Sequence, residues 1–461
     1  MEIKDGMLNM RRRRNYMPKT RKSSRKRSAG PDFGKLYKEK KNNRLLGFFL
    51  VLLISAVIGV GTYFIVDFYW KKQEIKTETP KSTPTPEVTQ EVEPTPTPEL
   101  TEGNSIVYPD GFMADFVDTR EKVNAKAIYV NTAFLPDERY PSLDELIALA
   151  DRTEINAMVI DIKDDYGRIL YDSKNETVEK NGEERIYIQD LPAFVAKLKE
   201  HDIYCIARVV AFLDRNAVKK NPEIAVKNKD GSLFVDAEGE YWLNPYNEGA
   251  REYLVEVAKE AVEAGFDEIN FDYLRISASG SLKNADFGER PEGMTHTDAI
   301  MEFVKYACSE LKPMGAFVSG DVFGTIINST ADGTSIGQSY VELSRYLDYI
   351  CPMVYPSHYS FGYGGIKYPD TQPYQLVYLE MISSVKKLSV IPEGEHKAEV
   401  RPWLQDFTMS GLGAGRYLDY GGQEIRAQIS GVYSAGYKSW MLWDFGMTFA
   451  EDGLLGDKIN N

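Results

Sequence analysis

The chain has 461 residues, of which 27% are charged and 43% hydrophobic, and this composition excludes a collagen-like or wholly disordered polypeptide. Three cysteines are too few for a disulfide-stapled scaffold or a four-cysteine zinc site. The formal net charge of -14 conceals two unlike parts: residues 1–44 hold 16 Lys/Arg and 4 Asp/Glu, and all later residues together hold 39 and 65. Such a division predicts a protein that serves two environments.

The basic arm, residues 1–44, comes first and contains four consecutive arginines at 11–14. Two partners suit such a charge: nucleic acid and anionic lipid. No aromatic residues alternate with the basic runs to stack on bases, so we expect no nucleic acid. The sequence predicts that this arm stays in the cytoplasm and rests on anionic lipid.

An apolar segment follows, and its residues 45–66 form a run of 22 without a formal charge. A membrane helix needs about 20 such residues. The alternatives are a buried core helix and a signal peptide, whose apolar region is usually about 7–15 residues and precedes a small-residue cleavage site. This run ends instead in the aromatic residues 68–70, which are typical of a membrane interface. We therefore predict an uncleaved transmembrane helix over 45–70, with all later residues outside the cytoplasm.

Residues 71–104 contain six prolines among Thr and Glu. Such a composition favours extended polyproline II structure and cannot bury a core. We predict a disordered linker that holds the following domain away from the bilayer.

The extracytoplasmic domain, residues 105–461, alternates short apolar runs with amphipathic helical patterns, of which 142–152, 191–201, 247–265 and 297–312 are examples. Eight runs have the character of strands: 127–134, 157–164, 204–212, 268–275, 316–324, 349–356, 400–407 and 439–445. Alternation of this kind indicates an α/β fold with a parallel sheet, and a count of eight predicts a closed (β/α)8 TIM barrel. The run at 400–407 is the weakest of the eight. A doubly wound open sheet is the alternative.

The loops after the strands are uneven in length. Hairpins are predicted within 165–190, after the second strand, and within 213–246, after the third strand, around Ala237–Gly239. The loop over 276–296 is rich in Gly and Ser. Long loops on this face of a barrel shape a substrate groove.

Polar residues recur where the strands end, which is where active sites lie in TIM barrels. Asp272 and Asp321 are the predicted catalytic pair, because most glycosidases use one carboxyl group to protonate the leaving oxygen and another to attack or to activate water. Arg208 and Arg275 are expected to keep one of the two ionised. The alternative is that each aspartate only pairs with an arginine across the barrel. Reserve candidates are Asp161, Asp164 and Asp406.

Substrate contacts are predicted from strand-end polar groups and from rings able to stack on sugars. The predicted substrate-binding residues are Asp161, Arg208, Asn270, Arg275, Tyr355, His358, Asp406, Trp443 and Trp242. The four histidines lack zinc spacing and no phosphate-binding glycine loop is present, so we expect neither a metal site nor a cofactor.

Several ordered motifs together resemble a known family. They are FDEINFDYLR (266–275), PEIAVKNKDG and YWLNP (within 222–245), SGDVFG (319–324), YICPMVYPSHY (349–359) and WLQDF (403–407). The resemblance is to a glycoside hydrolase family of membrane-anchored bacterial barrel domains, long labelled a domain of unknown function, and it covers roughly 125–450.

The resemblance implies a barrel related to the α-amylase-like superfamily. The strand-four aspartate of that superfamily, its nucleophile, corresponds to Asp272. The usual strand-five acid is a glutamate, and this chain has Asp321 nearby instead. Strand four is also similar to the chitinase signature, but Leu274 stands where that signature has its catalytic glutamate, which argues against a substrate-assisted chitinase mechanism.

The sequence therefore predicts a membrane-anchored glycosidase that acts on a cell-wall or extracellular polysaccharide, such as the glycan of peptidoglycan. Two alternatives stay open. One is a non-catalytic carbohydrate-binding or scaffold domain on a degenerate barrel, and the other is a barrel that remodels glycan by a non-hydrolytic route.

Overall fold

The computed structural model describes residues 107–279 and 282–456. All of them belong to one compact unit, Glu99–Asn461. The predicted basic arm, transmembrane helix and linker lie outside the described residues. Within the described ranges, none of the helices combines the length and apolar character that a bilayer crossing requires.

Eight parallel strands form the centre of the domain. They are β1 (Lys126–Val130), β2 (Ala157–Lys163), β3 (Tyr204–Val210), β4 (Glu268–Asp272), β5 (Phe317–Phe323), β6 (Tyr349–Met353), β7 (Trp403–Gln405) and β8 (Trp440–Trp443). Each strand pairs with the next, and β8 pairs back onto β1 through Lys126↔Trp440, Ala127↔Met441 and Ile128↔Leu442. The sheet is thus a closed barrel, which confirms the prediction and excludes the open doubly wound alternative.

Ten helices cover the barrel or stand in its loops, among the residues described. They are α1 (Leu143–Arg152), α2 (Glu176–Asn181), α3 (Leu191–Lys199), α4 (Ala217–Lys220), α5 (Glu248–Glu263), α6 (His296–Leu311), α7 (Thr330–Ile336), α8 (Tyr340–Ser344), α9 (Pro373–Leu388) and α10 (Gly422–Ser434). The four helical patterns read from the sequence correspond to α1, α3, α5 and α6. Helix α1 begins at a capping box of Ser142 and Glu145, and α5 begins at the side-chain cap of Asn247.

The weak pattern of the seventh strand has a local cause. Its first part, Glu399–Val400, pairs with β6, and the strand resumes only at Trp403. Pro402 has no N–H to donate to a neighbouring strand. Arg401, just before it, is fully buried and its Nη1 lies 2.8 Å from Oε1 of Glu268.

The loop after β2 differs from its predicted form. Arg168–Tyr171 pairs antiparallel with β2, but Glu183–Ile188 runs parallel to Arg168–Tyr171, so these two strands do not form a hairpin. Helix α2 lies between them, and its N-terminus is capped by Asn175, whose side chain accepts hydrogen bonds from Thr177 and Val178. The predicted polar turn therefore contains a helix, and this connection lets the second strand run in the same direction as the first.

The loop after β3 forms the predicted hairpin. Val235 pairs with Tyr241, and the Asp236 N–H donates to the Glu240 carbonyl at 3.0 Å. Gly239 adopts a φ of 87°, which suits glycine at this turn. Asp236 also accepts hydrogen bonds from the N–H groups of residues 238 and 240, so the tip of the hairpin is held by its own side chain.

The barrel interior changes in character along its axis. Alternation along the strands sends every second side chain inward. The middle and lower layers include the apolar residues Ala127, Ala157, Val159, Ile206 and Met441, and the lower layer also holds the buried ion pair of Glu268 and Arg401. Towards the carboxyl ends of β2 to β5 the buried positions are Asp161, Arg208, Asp272 and Asp321. The fold thus gathers three aspartates and an arginine at the carboxyl end of the barrel.

Candidate active site

Arg208 is the central cation of the site and is 1% exposed. Its Nη1 lies 2.7 Å from Oδ1 of Asp161, and its Nη2 lies 2.7 Å from Oδ1 of Asp165. Oδ2 of Asp272 accepts from both Nε at 3.2 Å and Nη2 at 2.6 Å. One guanidinium therefore binds three carboxylates that come from β2, the loop after β2 and β4. Such charge-assisted hydrogen bonds fix the carboxylates in place.

Asp272 lies at the end of β4, where the backbone makes a sharp turn. The next residue, Tyr273, has a φ of 50°, which is unusual for a side chain of its size. The Tyr273 N–H donates to Oδ1 of Asp272 at 2.6 Å. Both oxygens of Asp272 therefore accept hydrogen bonds, which fix the orientation of the carboxylate.

Asp321 has a different environment, although it lies on the neighbouring strand. It is 2% exposed, and its Oδ1 accepts from Asn270 Nδ2 at 3.0 Å and from Trp403 Nε1 at 2.8 Å. Among the described residues no cation pairs with it and no donor reaches Oδ2. Burial, followed by the nearby charge of Asp272, raises the pKa of Asp321 well above its usual range. Asp321 is thus expected to keep its proton.

Asp161 stands behind the pair. It is 2% exposed and accepts from the Tyr129 hydroxyl at 2.5 Å as well as from Arg208. Burial raises the pKa of Asp161 to about 7 in spite of the adjacent guanidinium. This carboxyl group therefore titrates near neutral pH and influences how much of the Arg208 charge is available to Asp272.

A cavity of about 170 Å³ opens between these groups. Its lining residues are Asp165, Arg208, Asp272, Tyr273, Arg275, Asp321, Phe323, Gln338, Met353, Tyr355, Trp403 and Trp443. Trp443 stacks on Tyr129 with ring centroids 4.1 Å apart and meets Trp403 edge-on at 5.5 Å. The cavity thus combines three carboxyl groups, of which Asp272 and Asp321 have unlike environments, with several aromatic walls.

Arg275 lies on the cavity wall between aromatic rings. Its guanidinium carbon is 5.0 Å from the ring centroids of both Trp242 and Tyr273, and 4.8 Å from that of Phe323. Cation–π attraction at these distances holds the guanidinium between the rings. Burial is the main cause that lowers the pKa of Arg275 from its ordinary value.

Residues 127–449 match the protein family described as "Putative glycosyl hydrolase domain". The chain belongs to this family. The match spans the whole barrel from β1 to the segment after β8, and it confirms the resemblance noted in the sequence. The predicted enzyme class, an O-glycosyl hydrolase, is the class of the family. The membrane anchoring implied by that resemblance and the relation to the α-amylase-like superfamily stay predictions.

Solved structures resemble the domain to different degrees. A hypothetical protein from Ruminiclostridium thermocellum is 37% identical, with 42% of this chain and 97% of that chain covered and a TM-score of 0.37. The glycoside hydrolase domain of PgaB (BpsB) from Bordetella bronchiseptica is 13% identical, with coverages of 70% and 93% and a TM-score of 0.50. The spore cortex-lytic enzyme SleL of Bacillus megaterium is 11% identical, with coverages of 73% and 74% and a TM-score of 0.41. The PgaB likeness supports the barrel fold alone. No curated protein matches the sequence.

Most of the site residues predicted from the sequence come together at the cavity. The lining includes Asp272, Asp321, Arg208, Arg275, Tyr355 and Trp443. Asp161 and Asn270 do not line it but bind residues that do, namely Arg208 and Asp321. His358 is exposed beside Tyr355, with ring centroids 5.4 Å apart, and so stands at the rim.

Three further nominated residues also lie outside the lining. Trp242 is buried behind Arg275 and donates from Nε1 to Oδ2 of Asp236 at 2.9 Å. Asp406 accepts from the Ala450 N–H at 3.1 Å, and burial raises its pKa to about 7. Asp164, a reserve candidate, is held in its own turn by Arg168, whose Nε donates to Oδ2 at 2.7 Å. These three side chains stabilise the loops that surround the cavity.

Other lining residues were not nominated from the sequence. Gln338 comes from the turn between α7 and α8, and its Nε2 donates to the carbonyls of Leu274 and Asp321 at 3.2 Å each. Nothing in the local pattern around Gln338 distinguishes it from a surface glutamine. Met353 follows two positions after inward-facing Cys351, so strand alternation was a usable signal there. Tyr273 directly follows Asp272, and Phe323 lies two residues after Asp321.

The described residues contain no group of three or more His, Cys, Asp or Glu side chains placed to hold a metal ion. Asp161, Asp165 and Asp272 converge, but on the guanidinium of Arg208.

Proposed function

We propose that this protein is a membrane-anchored, extracytoplasmic glycoside hydrolase that cleaves a cell-wall or extracellular polysaccharide through Asp272 and Asp321. The observation that carries the proposal is the contrast between two carboxyl groups on one cavity. Asp272 accepts two hydrogen bonds from Arg208, whereas buried Asp321 has neutral donors at one oxygen only. Glycosidases need such a division between an ionised and a protonated carboxyl group.

In this proposal Asp321 is the general acid. Its proton passes to the glycosidic oxygen as the bond between that oxygen and the anomeric carbon breaks. Among the described contacts, both hydrogen bonds reach Oδ1, which leaves Oδ2 for the proton. The raised pKa of Asp321 favours the protonated form that a general acid requires.

Asp272 supplies the negative charge on the other side of the reaction. It attacks the anomeric carbon or deprotonates the attacking water, and water provides the hydroxyl group of the product. Arg208 and the Tyr273 N–H orient this carboxylate. Tyr355 and Trp443, which line the same cavity, offer ring faces to the sugar.

We also propose the cellular arrangement predicted from residues 1–104: a cytoplasmic basic arm on anionic lipid, one membrane helix and a proline-rich spacer. Its support is the uncharged run at 45–66 between a basic arm and the linker. Cell fractionation with protease accessibility tests this arrangement. The barrel is expected in the membrane fraction and cleavable from outside, and deletion of residues 1–70 is expected to abolish membrane retention.

The activity test incubates the full chain with purified wall glycans and exopolysaccharides and determines product masses. Asp272→Asn and Asp321→Asn are each expected to abolish product release. Glu380→Gln is the matched control, because Glu380 is a fully buried carboxyl group outside the cavity that binds Asn328. Full activity of both aspartate variants would contradict the assignment.

One observation favours the non-catalytic alternative. The cavity of about 170 Å³ is smaller than the roughly 300–1,000 Å³ that ligand pockets usually offer. A barrel that only binds glycan at the rim, beside His358, is compatible with such a volume. That alternative predicts glycan binding without any change in glycan mass, and binding that Asp321→Asn leaves intact.

A further inference from the structure

We propose that Arg275 binds a carboxylate of the substrate, and hence that the polysaccharide carries an acidic sugar next to the bond that is cleaved. The inference rests on the proposed function, because it assigns a substrate class to the same cavity. It goes further in naming the substituent and the residue that recognises it.

Arg275 differs from the buried cations of the domain in its charge partners. Arg208, Lys163, Lys312 and Arg401 each have a carboxylate oxygen within 3.0 Å. Arg275 is different: no carboxylate among the described residues lies within 4.0 Å of its nitrogens. Its hydrogen bond, from Nη1, goes to the carbonyl oxygen of Ile276 at 3.0 Å. A partly buried guanidinium without an anion is an incomplete arrangement.

The aromatic rings around Arg275 hold its charge without neutralising it. Trp242, Tyr273 and Phe323 surround the guanidinium at 4.8 to 5.0 Å and limit its movement. Trp242 is itself fixed by its hydrogen bond to Asp236. A guanidinium held in this way loses little conformational entropy when a ligand binds, which favours recognition of a planar anion.

Asp272, Glu238 and Asp236 are the carboxylates that act electrostatically on Arg275. Glu238 is exposed in the hairpin after β3, whereas the other two already have partners. Asp272 accepts from Arg208 and from the Tyr273 N–H. Asp236 accepts from Trp242 Nε1, from Ser277 Oγ and from two backbone N–H groups. Neither carboxylate turns towards Arg275 to form an ion pair. The unused N–H groups of Arg275 therefore suit a carboxylate from outside the chain, which a guanidinium binds through two parallel hydrogen bonds.

The position of Arg275 ties this carboxylate to the cleaved bond. Tyr273 follows Asp272 directly, and Phe323 stands two residues after Asp321, so two of the three rings that hold Arg275 come from the same two strand ends as the catalytic pair. Arg275 also lines the same cavity as both aspartates. An acidic substituent bound there belongs to a sugar at the cleavage site or to its immediate neighbour.

Two kinds of sugar present a carboxylate of this sort: a uronic acid, and a muramic acid with its lactyl group. Both are to be tested with the full chain. The probes are an oligoglucuronate and a peptide-free oligosaccharide of N-acetylglucosamine and N-acetylmuramic acid. Each is compared with its carboxyl-reduced form, in which the carboxylate has become a neutral alcohol.

Binding is measured by calorimetry in the Asp321→Asn background, so that no turnover intervenes, with and without Arg275→Gln or Arg275→Lys. We expect Arg275→Gln to weaken binding of the acidic probe about 10-fold or more, and its reduced form far less, because a charge-assisted pair is lost only with the former. Arg275→Lys is expected to retain part of the preference. Arg139→Gln is the control, since Arg139 is exposed and pairs with Asp137 at the surface.

Equal losses on acidic and reduced probes would overturn the inference, and so would an unchanged affinity for both acidic probes. The two probes also identify which source of carboxylate is preferred. If the wild-type chain releases no product from any glycan yet binds the acidic probe through Arg275, the hydrolase proposal fails and the carboxylate site stands. If the wild-type chain hydrolyses acidic and carboxyl-reduced glycans equally well, the carboxylate site fails and the hydrolase proposal stands.

Discussion

The guanidinium of Arg208 donates two hydrogen bonds to a single oxygen of Asp272, from Nε at 3.2 Å and from Nη2 at 2.6 Å. Asp321, on the next strand, has no such partner among the described residues. A barrel with one arginine placed off-centre can therefore keep two neighbouring aspartates in different protonation states. The polarity of the proposed catalytic pair follows from this asymmetry.

Arg208→Gln is predicted to reduce kcat/KM by about 100-fold or more and to lower the free energy of unfolding by roughly 3 kcal/mol. The substitution leaves three carboxylates, Asp161, Asp165 and Asp272, without their common cation. Steady-state kinetics and chemical denaturation measure the two effects.

Arg401→Gln separates stability from catalysis in that experiment. Arg401 is equally buried and pairs with Glu268, but it does not line the cavity. The Arg401→Gln variant is expected to lose comparable stability, while its folded fraction keeps the wild-type kcat/KM. Equal losses of activity in both variants would show that Arg208 acts only through the fold.

The pH dependence of kcat/KM is predicted to have a descending alkaline limb set by Asp321. Burial and the charge of Asp272 raise the pKa of this carboxyl group. The acid is loaded below that pKa and unloaded above it, so activity falls as pH rises through it. A rate profile from pH 5 to 10 tests this, and an activity that increases steadily over the range would exclude Asp321 as the acid.

Asp321→Asn is predicted to stabilise the protein at pH 8 while abolishing activity. The folded state holds a proton on Asp321 at pH values where the unfolded chain, with a pKa of about 4, has released it. Wild-type stability therefore falls as pH rises through this window, and asparagine removes that dependence while its carbonyl still accepts from Asn270 and Trp403. The difference in Tm is expected to vanish near pH 4.

Glu380→Gln provides the parallel case without a catalytic role. Burial raises the pKa of Glu380 to about 7, so its stability effect has the same sign and is complete above that pH. At pH 8 we expect a higher Tm and a free energy of unfolding that is larger by at most about 3 kcal/mol. The kcat is expected to be unchanged. A loss of stability in both variants would argue that these carboxyl groups are ionised in the fold.

The barrel was predictable from the sequence because its strands are buried on both faces and therefore read as apolar runs that begin and end sharply. The same runs place Asp272 and Asp321 at inward-facing positions towards the carboxyl ends of their strands. The direction of the segment after β2 was not predictable, since the short helix α2 depends on an asparagine cap within a polar stretch.

Side-chain partnerships explain the rest of the difference at the site. Trp242 and Asp406 have the residue types of sugar ligands, yet each is engaged within a loop, with Asp236 and with the Ala450 N–H respectively. Gln338 reaches the cavity from a turn, through two backbone carbonyls that only the folded chain brings together. Such contacts depend on tertiary distances, which a local pattern does not contain.

Trp403→Phe is predicted to move the alkaline limb of the rate profile to higher pH. The Trp403 Nε1–H donates to Oδ1 of Asp321 at 2.8 Å and stabilises the ionised form, so its loss raises the pKa of that carboxyl group further. The maximal rate is expected to change less than the position of the limb, because the proton donor itself is retained.

Trp440→Phe is the matched control: Trp440 is also fully buried and donates from Nε1 at 3.0 Å, but to the hydroxyl of Tyr433 outside the cavity. Both variants are expected to lose about 1–3 kcal/mol of stability from the smaller ring and the lost hydrogen bond. Only Trp403→Phe is expected to shift the limb, and a shift of the same size in both, or a shift to lower pH, would disprove the coupling between Trp403 and the acid.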